Sequence, residues 1–75
     1  MELQDFIENL AEQFEDTPAE EITADAEFKE FDEWDSLAAL GIIAMAKTKY
    51  GKDITGREIR ACATVEDLFN LVNGK

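Results

Sequence analysis

The chain has 75 residues, 45% of them hydrophobic, and 18 acids against 7 bases give it a formal charge of −11. That charge argues against a nucleic-acid binder, which needs a basic face for phosphates; the absence of His removes imidazole as base, shuttle or metal ligand; and one Cys allows neither an internal disulfide nor a thiolate cluster, which fits a reducing compartment. The apolar content suffices for a core, but a chain this small has no room for a deep pocket plus a full catalytic constellation, so a carrier, an adaptor or an inhibitor suits it better than an enzyme.

The charge is unevenly spread. Residues 1–35 hold fourteen acids against Lys29 alone, whereas residues 36–75 hold Asp53, Glu58, Glu66 and Asp67 against six bases. The segment Met1-Glu2-Leu3-Gln4-Asp5 lacks the basic region and apolar core of a signal peptide. The longest apolar run, Leu37 to Ala46 counting Gly41, is half of the roughly 20 residues that a bilayer span requires. A single cytoplasmic domain over residues 1–75, with no membrane span, is the expectation.

Leu3, Phe6, Ile7, Leu10 and Phe14 recur at helical spacing and predict a first helix from about Glu2 to Glu15. Thr17-Pro18-Ala19-Glu20 reads as a short helical turn, with Thr17 as cap, Pro18 in the first helical position and Glu20 completing a capping box. From Glu21 to Asp35 no period is sustained. Phe28, Phe31 and Trp34 are spaced by three, which allows a local turn, but the segment reads as a long loop pinned to the core by its aromatic side chains; such loops are often functional. A second helix is predicted from Ser36 to Tyr50, stopped by Gly51, with Lys47 and Lys49 at the negative end of its dipole. A short third helix runs over about Gly56 to Ala61 behind a Thr55/Glu58 capping box, and a fourth over about Val65 to Val72 behind Thr64, with Val65, Leu68, Phe69 and Val72 as its apolar face. The fold class is therefore all-α, a four-helix bundle with a short third helix.

The second helix is apolar nearly all round, and a domain of this size cannot bury one helix on every side. Its alanines could simply be good helix formers; Leu37, Ile42 and Met45 together are better explained by an interaction face. Ser36 stands at the helix start, where unpaired N–H groups and the dipole favour a phosphate ester. Physics alone also allows a plain helix cap there, and for a lone serine that is the simpler explanation.

The motif around that serine says more. Trp34-Asp35-Ser36-Leu37 resembles the phosphopantetheine attachment motif of the acyl carrier proteins, whose core is Asp-Ser-Leu. The likeness extends over essentially the whole chain: its length, the early amphipathic helix, the long loop ending in Asp-Ser-Leu, the Tyr50-Gly51 stop, Ile54 before a short third helix, and Thr64-Val65 opening the last. The resemblance implies a stand-alone carrier that catalyses nothing. A phosphopantetheinyl transferase would use coenzyme A to esterify Ser36 with 4′-phosphopantetheine, whose thiol carries acyl groups as thioesters. Asp35 and Leu37 would flank the arm. Helix two would be the main docking surface, with Leu37, Leu40, Glu33 and Trp34 meeting partners such as a ligase, a ketoacyl synthase or an acyltransferase. The acyl chain would have room to slip between helices, and the carrier would work as a monomer.

Two departures from the commonest family pattern bear on pathway. Glu33 and Trp34 replace the usual glycine and small residue before Asp-Ser-Leu, and helix two has no acid between Ser36 and Tyr50. Both resemble stand-alone carriers of biosynthetic clusters for surface polysaccharides, lipids or secondary metabolites more than carriers of housekeeping fatty-acid synthesis. The rivals are an acidic adaptor or inhibitor that binds a basic protein through residues 1–35, and a carrier of aminoacyl or peptidyl units. Cys62 has no activating base and reads as a small core residue. No stretch shows a calcium loop, so no metal is expected.

Overall fold

The computed structural model describes residues 2–75. Its helices are α1 (Leu3–Ala11), α2 (Ser36–Tyr50), α3 (Gly56–Arg60) and α4 (Val65–Asn73), with 3₁₀ turns at Ala19–Glu21 and Phe28–Glu30. All described secondary structure is helical, as the periodicity requires. Helix α1 packs on α4 and α2, and α3 packs on α2.

The last three helices follow their local signals closely. Gly51 takes the left-handed conformation (φ 66°), and the N–H groups of Gly51 and Lys52 close on the carbonyls of Lys47 and Ala46, ending α2 where expected. Thr55 and Glu58 form the capping box of α3. Thr64 and Asp67 form a second box at α4, in which Asp67 also accepts from the Ala63 N–H. The core is apolar throughout: Phe6, Leu10, Phe28, Ile42, Ile59, Val65, Leu68 and Val72 are sealed from solvent, and no polar side chain is buried among the described residues.

The first helix is shorter than its apolar stripe predicts. The chain leaves α1 after Ala11, and the Gln13 and Phe14 N–H groups bond back three residues, to Leu10 and Ala11. Two causes act together. Glu12, Glu15 and Asp16 crowd the negative end of the helix dipole with no base in the last turn. Phe14, still buried, turns to meet Phe31 edge-on with ring centroids 5.4 Å apart. The Thr17/Glu20 capping box does not form either. The turn starts at Ala19 behind Pro18 without a side-chain cap. The Thr17 hydroxyl is spent elsewhere, on Glu33.

The stretch from Thr23 to Asp35 is a loop pinned by its aromatics. Phe28 is fully buried, and Trp34 packs on it edge-on at 5.2 Å. The loop also serves α4 directly: the carbonyls of Ala26 and Ala24 accept from the Val65 and Glu66 N–H groups at 2.9 and 2.8 Å. These are donors of the first helical turn, which have no partner inside the helix. Lys29 Nζ donates to the Arg60 carbonyl at 2.7 Å and fixes the loop to the end of α3.

Candidate functional site

The site forms where this loop turns into α2. Asp35 is the cap: its backbone is extended, and its carboxylate accepts from the Ala38 N–H at 2.8 Å. Ser36 is therefore the first residue of the helix rather than its cap, and it is exposed. Its hydroxyl is not needed as a cap, because the neighbouring carboxylate already holds the helix start.

Ser36 is the chain's only serine. Every other side-chain hydroxyl is engaged. Thr17 donates to Glu33, Thr23 to Asp25 and Thr48 to the Ala44 carbonyl. Thr55 and Thr64 accept from the Glu58 and Asp67 N–H groups within their capping boxes, and the Tyr50 hydroxyl accepts from Asn9 at 2.8 Å. Among the described residues the Ser36 hydroxyl alone makes no such bond. The sequence already contained part of this signal, in the single serine; the commitment of the other hydroxyls appears only in the fold.

Helix α2 divides into two faces. Ala38, Ile42, Met45 and Ala46 are buried. On the opposite side, a turn of 3.6 residues brings Ser36, Leu37, Leu40, Ala44 and Lys47 within about 100° of one another, and all five are exposed. Leu37 is 74% exposed and Leu40 59%. The expectation that Leu37, Ile42 and Met45 share an outward face is corrected: Ile42 and Met45 are core, and the outward apolar residues are Leu37, Leu40 and Ala44. Lys47 closes the lower end of this stripe, paired with Asp53 at 3.1 Å.

Glu33 and Trp34 lie behind the site, both half-buried. The Trp34 ring anchors on Phe28, and its backbone N–H donates to the Phe31 carbonyl at 3.0 Å. Glu33 accepts from the Thr17 hydroxyl at 2.6 Å and from the Asp16 N–H at 2.7 Å. The Thr17 bond first, and the Asp16 bond second, hold its carboxyl below the usual carboxylate range. A shallow groove of about 420 Å³ runs beside the site, lined by Gln13, Glu15, Asp16, Glu33, Asp35, Leu37 and Ala38.

Other candidates fall away. Cys62 is buried, and that burial, followed by the charge of Asp67, pushes its thiol up, away from nucleophilic character. Among the described residues no cluster of His, Cys, Asp and Glu could hold a metal ion, and no helix is long and apolar enough to cross a membrane.

An exposed, unengaged hydroxyl on the first turn of a helix, beside outward leucines, fits covalent attachment of an anionic group: the ester's charge would sit at the positive end of the helix dipole. Compared with known protein families, residues 5–72 match the family described as "Phosphopantetheine attachment site". Neither the curated proteins nor the solved structures yield a match.

Proposed function

The chain belongs to the phosphopantetheine attachment site family, and from that premise we propose that Ser36 is the residue that carries the group. The protein is a non-catalytic carrier with a covalently attached 4′-phosphopantetheine. The group supplies a flexible arm ending in a thiol, on which acyl units are held as thioesters. One observation supports Ser36 above any other residue: its hydroxyl is exposed, has no internal hydrogen bond, and opens a helix whose cap is supplied by Asp35. In the loading step the Ser36 oxygen attacks the pantetheine-bearing phosphorus of the coenzyme A pyrophosphate; the new O–P bond forms as the P–O bond to the nucleotide half breaks, adenosine 3′,5′-bisphosphate leaves, and a separate phosphopantetheinyl transferase accepts the serine proton. Asp35 and Leu37 flank the ester. Leu37 and Leu40 form the surface that partners meet, and Glu33 and Trp34, half-buried and engaged inward, border it upstream.

The partners in this reading are the transferase and acyl-loading or acyl-using enzymes such as a ligase, a ketoacyl synthase or an acyltransferase. Helix α2 has no acid between Ser36 and Tyr50, and its outward stripe beside Ser36 runs through Leu37, Leu40 and Ala44 to Lys47. This favours apolar docking to dedicated enzymes, in a specialised pathway for a surface polysaccharide, a lipid or a secondary metabolite, over general fatty-acid synthesis. The carrier works as a cytoplasmic monomer. Intact mass after incubation with coenzyme A and a promiscuous transferase tests the reading. The wild type gains one phosphopantetheinyl group and Ser36→Ala gains none; equal gain by both contradicts it.

A further inference from the structure

We infer that Glu33 is a positioning residue for the attachment serine: its carboxylate fastens the stretch leading into Ser36 to the chain leaving α1, so that the hydroxyl is presented on an ordered turn. The inference rests on the assignment of Ser36 above. Both carboxylate oxygens are committed, one to the Thr17 hydroxyl and one to the Asp16 N–H, across a sequence gap of 16 to 17 residues. Each of the next two residues has an anchor of its own, Trp34 on Phe28 and Asp35 on the Ala38 N–H. Those anchors tie the approach to its own loop and to α2. Glu33 ties it to the α1 side.

The clamp works against local repulsion. Glu15, Asp16 and Asp35 share one groove with Glu33, Glu21 and Asp32 share the adjoining one, and no base lines either. Carboxylates so placed push the two segments apart. Two short bonds on Glu33, from the Thr17 hydroxyl at 2.6 Å and the Asp16 N–H at 2.7 Å, bridge the segments against that push, and the same bonds hold its carboxyl below the ordinary range. With the clamp gone, Trp34 and Asp35 still preserve the fold and the helix start, but residues 32–36 gain freedom that docking must remove.

The test is transfer of phosphopantetheine from coenzyme A by a promiscuous transferase, at a temperature where every variant is folded by circular dichroism. Glu33→Ala lowers kcat/KM by about fivefold to tenfold, mainly through KM. Thr17→Val, which removes one donor, gives a smaller loss. Glu33→Gln restores most of the rate, because an amide can accept from the Asp16 N–H while donating to the Thr17 oxygen. In Glu33→Ala, amide exchange at Trp34 accelerates about tenfold while the Ile59 and Leu68 amides keep their protection. Unchanged kcat/KM in a folded Glu33→Ala, or exchange accelerated equally at all three amides, overturns the inference alone. A wild type that takes up no group, or a Ser36→Ala that still does, overturns the Ser36 assignment and this inference with it.

Discussion

Both faces of α2 carry large apolar residues, and those residues have opposite fates. Inward, Ala38, Ile42, Met45 and Ala46 fill the core; outward, Leu37 and Leu40 stand in solvent beside Ser36. Burial of the inner face stabilises the fold, while the outer leucines make no comparable contribution and remain available to a partner. Apolar character along a helix therefore does not reveal which side is structural. The side is set by which residues α1 and α3 cover.

Truncation on each face sharpens this contrast. Ile42→Ala opens a cavity in a fully buried position and costs about 2–5 kcal/mol, a large share of what so small a core supplies. Thermal melts should show a large fall in Tm or an unfolded chain at 37 °C. Leu40→Ala, on the other face, should shift stability by less than about 0.5 kcal/mol while slowing transferase-catalysed loading severalfold. Comparable destabilisation by the two substitutions would erase the distinction between the faces.

A smaller effect separates the loop from the capped helices. The Ala63 and Thr64 N–H groups hold the Asp67 carboxyl below its ordinary range. A carboxyl depressed in the folded state contributes stability that is present at neutral pH and is lost as pH falls through its folded pKa. The stability difference between wild type and Asp67→Asn should accordingly be full above about pH 5 and shrink progressively below about pH 4. Chemical denaturation at several pH values measures it, and a difference that grows on acidification would contradict the capping role.

The same division governs what the sequence reveals. Helices α2, α3 and α4 were legible because their ends depend on near neighbours: Asp35 before Ser36, Gly51 after Tyr50, and the two threonine capping boxes. The end of α1 and the course of the loop were not, because contacts distant in sequence decide them. Phe14 leaves the helix to meet Phe31, Thr17 abandons a local capping box for Glu33, and the carbonyls of Ala24 and Ala26 are taken by α4. At the site, the resemblance singled out Asp35, Ser36 and Leu37, and the pattern showed that α2 was too apolar to be wholly core. The anchoring of the loop by Trp34 was readable from the aromatic spacing; which apolar residues of α2 face outward, and the bonds of Glu33 to Asp16 and Thr17, required the packed structure.

The most direct measurement is fragmentation mass spectrometry of the phosphopantetheinylated protein, reading which side chain bears the group. The account predicts a single adduct on the peptide spanning Trp34 to Leu37, localised to Ser36. An adduct on any threonine or on Tyr50, or a chain that every tested transferase leaves bare, would contradict it.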